Sequence, residues 1–221
     1  MTVDSFRLDL PMAWKQTPVE PDDFRRHVLG TFTEEDWRSV PLVERRRTEL
    51  FIERVVADLR TTDARFAAAL MEKVPDSEEG TGDGGFVIAG VTMSMMHRDQ
   101  LKSPVALSVE VVHAAMSRTD PAPANAKWSR ARTTNLEPPS IVALPVGRVV
   151  RLVRLVEQGD ASTKSEYFTE SFLVPVPEEF EYLLVVQFAT PHVRDARLFS
   201  ELFGAIAQTV KTYRTDEPTT L

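Results

Sequence analysis

YFTESFLVPVPEEFEYLLVVQFATPHVRDARLFSELFGAIAQTVKTYR, residues 167–214, is the stretch on which the reading of the fold turns. It divides into two strands and a helix. The first strand, Tyr167 to Val176, runs into Pro175 and Pro177, which have no N–H to donate to a ladder, so it stops there. Glu178, Glu179 and Phe180 make the turn. Leu183 to Phe188 is almost continuously apolar, the composition of a central strand covered on both faces. Pro191 closes that strand. Beyond it, Leu198, Phe199, Leu202, Phe203, Ile206, Ala207, Val210 and Tyr213 recur at spacings of three and four, which predicts one apolar helical stripe. Asp195 is placed to cap the helix, and Lys211 and Arg214 to meet the negative end of its dipole. Burying six large side chains at ~1.5–3 kcal/mol each gives roughly 10–20 kcal/mol gross. A helix with that much to bury must dock on a flat apolar surface, and a sheet made from its own upstream hairpins is the natural one.

The other 173 or so residues (roughly, by difference) fit this frame as a soluble chain. Of 221 residues, 43% are apolar and 27% charged, and the net charge is −7. That balance argues against a general binder of nucleic acid or anionic membrane. The absence of cysteine removes disulfides, thiolate metal sites and a cysteine nucleophile, and suits a reducing cytoplasm. No secretory signal is visible at the start of the sequence, and no run approaches the ~18 apolar residues of a membrane span. A single domain over 1–215 with a flexible polar tail at 216–221 is expected.

Taken in order, Phe6 to Leu10 alternates as a half-buried strand closed by Pro11, with Trp14 in the turn that follows. Pro21-Asp22-Asp23 opens a short helix for which Gly30 is the left-handed C-terminal cap. Thr33 with Asp36 reads as a capping box. A long helix from Trp37, broken or bent at Pro41, runs to about Arg60, with Leu42, Val43, Leu50, Val55, Val56 and Leu59 facing inward. Arg65–Met71 is ambiguous between helix and strand. The strand is preferred because an acidic, glycine-rich loop and the strand-like Phe86–Met96 follow, as in a hairpin. Ser103-Pro104 predicts a helix over 105–116 despite its valines. Pro121 and Pro123 sit in the most linker-like segment, 120–125. Ser140–Leu144, a turn at Pro145-Val146-Gly147, and Arg148–Val156 form another hairpin. The sum is an α+β fold, a mostly antiparallel sheet of about six or seven strands with helices packed on it.

Several of these segments carry a likeness. Phe-Arg-Leu-Asp-Leu-Pro-Met-Ala-Trp (6–14), Leu144-Pro145-Val146-Gly147-Arg148, Leu173-Val174-Pro175-Val176-Pro177, Val186-Gln187-Phe188-Ala189-Thr190-Pro191 and the terminal helix resemble actinobacterial proteins of the PsbP-like, Ran-binding Mog-type fold. The resemblance covers residues 1–15 and 140–214, and the long helix of the middle departs from it. It implies an α/β/α sandwich and non-catalytic relatives: adaptors, assembly factors, and chaperones for secreted effectors. The motifs are structural, so they carry fold more directly than activity.

Candidate chemistry is sparse. Gly80-Thr81-Gly82-Asp83-Gly84-Gly85 satisfies G-x-G-x-x-G, but acids precede it and a strand follows, whereas a pyrophosphate needs helix amides. No cofactor is expected there, and the acids lack EF-hand spacing. His27, His97, His113 and His192 form no metal-ligand pair at helical spacing. His192, Asp195 and Ser200 lie close in sequence but lack the strained elbow of a hydrolase nucleophile. Lys127, Arg130, Arg132, Arg148, Arg151 and Arg154 face one acid, Glu137, with Trp128 beside them. The cluster reads as solvated or internally paired arginines, as a protein-binding surface, or as a nucleic-acid surface. In a strand Arg148 and Arg154 share a face and Arg151 takes the other. Met93 and Met95 alternate with Val87, Ala89 and Val91. That pattern is either an adaptable peptide-binding face or a sheet face under a helix, of which the second is favoured.

The partner-binding candidates are therefore Arg148, Arg154, Trp128, Met93 and Met95. The function expected is that of a cytoplasmic, non-catalytic protein-binding module, an adaptor or chaperone of a bacterial secretion or toxin system. Its partner would be a secreted effector or secretion component, and self-association into a homo-oligomer stays open. Two alternatives stand beside it: a small-ligand binder or enzyme around His113 or His192, and weak nucleic-acid binding through Lys127–Arg154.

Overall fold

The apolar run Leu183–Phe188 lies in the strand at the middle of the sheet. The computed structural model describes residues 3–74, 85–101, 107–117, 132–158, 165–176 and 182–214. In chain order the elements are β1 (Val3–Arg7), β2 (Trp14–Thr17), α1 (Pro21–Leu29), α2 (Glu34–Ser39), α3 (Leu42–Thr61), β3 (Asp63–Val74), β4 (Gly85–His97) and α4 (Val109–Ser117). There follow β5 (Arg132–Asn135), β6 (Ser140–Leu144), β7 (Gly147–Gln158), β8 (Ser165–Pro175), β9 (Tyr182–Thr190), α5 (Ala196–Ala207) and β10 (Lys211–Arg214). The main sheet has eight strands in the order β2-β3-β4-β9-β8-β7-β5, with β6 also paired to β7. β1 and β10 make a separate two-stranded ribbon. Every pairing among the described residues is antiparallel. The chain is α+β.

Alternation sorts the core into two sides. In β8, Phe168, Phe172 and Val174 join the cluster under α5, whereas Tyr167 and Leu173 join clusters on the opposite face. Phe24 and Val28 of α1, and Phe51, Ile52, Val55, Val56 and Leu59 of α3, pack on that opposite face, as do Val109 and Val112 of α4. Helices thus cover both faces of the sheet. Ring contacts hold α5 down: Phe203 lies 4.8 Å from Phe188 and 6.2 Å from Phe168, both stacked. Phe32 and Trp37 close on Phe86 at 4.0 and 5.6 Å, tying the α2 region to β4.

Most elements stand where the sequence places them. Arg65–Met71 lies within β3 and pairs with β4, residue against residue from Phe66 to Val74. The β6–β7 hairpin turns at Pro145-Val146, and Gly147 takes φ +128°, a backbone that L side chains rarely adopt. Thr33 and Asp36 form the capping box: the Asp36 amide donates to Thr33 Oγ1 at 3.1 Å and the Thr33 amide to Asp36 Oδ2 at 3.0 Å. The Thr33 hydroxyl also donates to Asp36 Oδ2, at 2.6 Å, and this bond first and the Thr33 amide second hold the Asp36 carboxyl below its usual range.

The differences have physical causes. The main sheet has more than the expected six or seven strands because Trp-Lys-Gln-Thr (β2) and Arg-Thr-Thr-Asn (β5) lack apolar alternation yet complete the edges. Trp14 is therefore a buried strand residue rather than a turn residue. The first strand is shifted, ending at Arg7. Gly30 caps α1 in the right-handed region (φ −74°); its lack of a Cβ matters because the Arg26 carbonyl would lie 2.9 Å away. α4 begins at Val109, not at 105, and Ser103-Pro104 lies outside the described residues. α5 ends at Ala207, so Lys211 and Arg214 belong to β10 and do not serve the helix dipole. Asp195 occupies the N-cap position without a side-chain bond, because a 3-10 turn at Val193–Asp195 leads directly into the helix. Leu198 is 65% exposed, since it sits about 100° around the helix from Phe199 and only one of them can face the sheet.

Phe203→Ala is expected to lower unfolding stability by ~3–5 kcal/mol, as read by urea denaturation, because it opens a cavity where three other rings meet.

Candidate docking groove at the end of the central strand

Strand β9 stops before its neighbours do. Its last partners are Gly90 for Ala189 and Phe168 for Thr190, while β4 begins at Gly85 and β8 at Ser165. Pro191 enforces the stop. The backbone of β4 beyond Gly90 would be left open on that side, and side chains close it. Thr190 Oγ1 donates to the Ile88 carbonyl at 2.8 Å, and the Ile88 amide donates to His192 Nε2 at 3.1 Å. The His192 amide donates to Thr190 Oγ1 at 3.2 Å, fixing the corner, and the imidazole stacks on Phe199 at 5.8 Å. Blocking an exposed edge in this way prevents unwanted strand pairing.

Around that corner the surface is concave. A cleft of about 790 Å³ lies between the first turns of α3 and the β9–α5 corner, lined by Leu42, Val43, Arg46, Arg47, Glu166 and His192 among others. A second, more apolar recess of about 300 Å³ lies on the α5 side, lined by Leu70, Val87, Leu198, Phe199 and Leu202. His192 and Asp195 border both. Leu42 and Val43 are 74% and 70% exposed beside the first recess, and Leu198 is 65% exposed beside the second. This reverses the inward facing expected of Leu42 and Val43. The reason is local: at ~100° per residue the buried stripe of α3, Thr48, Phe51, Ile52, Val55, Val56 and Leu59, runs back through Pro41, which puts Leu42 about 100° and Val43 about 200° further round the helix. That offset was the one signal in the sequence for this site.

The cleft is charged as well as apolar. Arg47 pairs with Glu44 at 2.7 Å and Arg46 with Glu49 at 3.3 Å. Burial pushes the His192 imidazole below its ordinary pKa, and Arg47 adds to that, against the opposing carboxylates of Glu44 and Asp195. His192, Asp195 and Ser200 do not assemble into a triad. His192 Nε2 is taken by Ile88, and the Ser200 hydroxyl accepts from Arg151 at 2.9 Å.

The residues singled out from the sequence lie elsewhere. Met93 is fully buried and Met95 half-buried in the core under α5. Arg148 pairs with Glu110 of α4 at 2.8 Å, and Arg154 donates to Asn135 at 3.1 Å and approaches the Met116 sulfur at 4.0 Å. Arg151, on the other face, donates to Glu170 at 2.5 Å and to Glu137 at 2.8 Å. The β7 arginines thus divide between two faces and are bonded within the chain. Trp128, Lys127 and Arg130 lie outside the described residues, as do residues 80–84 of the glycine-rich loop. His113 Nε2 meets the Pro139 carbonyl at 2.9 Å, and His97 pairs with Asp99 at 3.1 Å. Among the described residues no helix is long and apolar enough to cross a membrane. No protein-family model matches the sequence, and no curated protein does.

Glu170 is 1% exposed and lies against the Arg151 guanidinium. Burial alone would lower the Arg151 pKa, but the bond and charge of Glu170, then of Glu137, hold it above its ordinary value. Arg151→Leu would leave the carboxylate buried without a counter-charge and is expected to cost ~3–5 kcal/mol in urea unfolding. Replacing both residues, Arg151→Leu with Glu170→Leu, should restore much of that loss.

His192 also sets a pH dependence. Its folded pKa lies below its unfolded one, so the unfolded chain binds the extra proton first and stability rises with pH across that interval. The contribution is complete above pH ~6.5 and is lost as pH falls through the lower, folded value. Thermal midpoints measured from pH 8 down to 5 should therefore fall, and His192→Gln should flatten the part of the slope just below pH ~6.5.

Proposed function

We propose that this protein is a non-catalytic protein-binding module, an adaptor or chaperone of a bacterial secretion or toxin system, and that it holds its partner in the cleft beside His192. The observation that carries the reading is the trio Leu42, Val43 and Leu198, each mostly exposed, the first two beside one recess and the third beside another, with His192 and Asp195 lining both. Single exposed apolar residues are ordinary, but apolar residues gathered beside recesses and rimmed by polar ones mark interaction surfaces. The rim here carries both signs of charge, Arg46, Arg47 and Arg194 beside Glu44, Glu166 and Asp195, as protein interfaces do. The class of partner, a secreted effector or a secretion component met in the cytoplasm, follows from the likeness to PsbP-like adaptors and chaperones. A small-ligand site is the second reading. It is favoured by the cleft's size, which falls within the ~300–1,000 Å³ range of ligand pockets, and by the histidine on its wall.

The test compares three immobilised proteins exposed to host extract: the parent, Leu42→Asp with Leu198→Asp, and Met12→Asp as a control at an exposed apolar residue that lines neither cavity. A host protein held by the parent and the control, and reduced at least ~10-fold on the double variant, is the expected result, equivalent to ~1.4 kcal/mol or more. Equal capture on all three, or none on any, would remove the docking assignment.

A further inference from the structure

On the face opposite α5, the middle of α3 lies over β4, β9 and β8 and leaves a small recess, mostly apolar in its walls but with several polar side chains among them. This cleft, ≈ 10 Å³, is lined by Phe51, Arg54, Asp58, Thr92, Tyr167 and Gln187 among others. Tyr167 is 3% exposed, and its hydroxyl has no hydrogen-bond partner. Arg54 and Asp58 are occupied with each other at 2.7 Å, and the guanidinium stands 5.8 Å from the Tyr167 ring centroid. Thr92 and Gln187 face one another as register partners across β4 and β9.

A phenol hydroxyl buried without a partner costs roughly 1–3 kcal/mol, and phenylalanine would fill the same position without that cost. The cost disappears if something small and polar satisfies the group. A water molecule needs about 10–15 Å³ of such space and two to four polar partners. The cleft meets the lower bound of the volume and supplies the partners, and nothing larger than one water fits it. Burial also raises the Tyr167 pKa and, more than the Arg54 pair offsets, that of Asp58, as groups with little solvent around them behave.

We infer that this cleft is a hydration site holding one water molecule that bridges α3 to the sheet. The Tyr167 hydroxyl donates to it, and its own protons go to the Asp58 carboxylate and to a side-chain oxygen of Gln187 or Thr92. The water is then a structural member of the α3–sheet interface, independent of the docking groove and of what the groove binds.

A high-resolution crystal structure of the full chain, with thermal melts of the parent and Tyr167→Phe, tests it. The expected result is a single density peak within hydrogen-bond reach of Tyr167 Oη, and a midpoint lowered by roughly 2–4 °C in the variant. The substitution keeps the ring and its packing, so the variant folds. An empty cleft overturns the assignment, as does a midpoint for Tyr167→Phe equal to or above the parent's, since removing an unsatisfied hydroxyl stabilises.

Discussion

The seating of α5 on the sheet is the contact from which the rest of the architecture follows. Phe199, Phe203, Ile206 and Ala207 are buried against Phe168, Phe172, Val186 and Phe188, and the rings stack or tilt rather than merely touch. At ~1.5–3 kcal/mol per large side chain, this is the largest apolar commitment by a single helix on its side of the sheet. It also sets the β9–α5 corner. With Phe199 fixed over the sheet, the imidazole stacked on it is fixed too, and so is the edge-capping bond to Ile88. The concavity beside His192 is thus a consequence of how α5 begins.

Two polar devices sit inside that apolar frame. The first is the Thr190–Ile88–His192 chain of bonds, which ends the central strand without leaving a usable strand edge. The second is the ion pair of Arg151 with Glu170, covered by α5 through Ser200. A buried pair of this kind is weak as a source of net stability, since desolvation offsets the attraction. Its effect is on register: Glu170 is tolerated in the core only where Arg151 lies across the β7–β8 ladder to meet it, and a one-residue slip would separate them. One oxygen, Glu170 Oε2, remains without a partner, a cost the surrounding packing carries.

Legibility in the sequence was uneven for identifiable reasons. Long, strongly patterned runs are readable: β4, the β6–β7 hairpin, β8, β9 and α5 each carry an apolar pattern that one interaction dominates, whereas β3, rich in alanine, is legible only from the loop and strand that follow it. Short polar edges were not, because β2 and β5 are held by neighbours rather than by their own composition. The methionine alternation at Met93 and Met95 was readable as a pattern but not as a role, since a buried face and a binding face share the same spacing. The basic run of β7 behaved likewise: charge is visible in a sequence, whereas the acids that neutralise it, Glu110 and Glu170, come from other elements. The groove is not legible because an apolar pair at the start of α3 looks like part of its buried stripe, although that stripe runs through Pro41 and leaves Leu42 and Val43 outside.

What the amino-acid sequence determined by itself was the class of object: a cysteine-free, acidic α+β chain whose antiparallel sheet is completed by an amphipathic helix. Backbone propensity and apolar periodicity are local properties, and they suffice for that. What only the tertiary structure decided was which apolar residues stay outside and which polar ones go in. The burial of Glu170 and Tyr167 and the use of His192 as an edge cap depend on neighbours distant in the chain, and which side of α3 and α5 meets the sheet is likewise set by docking. Burial and pairing are relations between elements, and no single segment carries them.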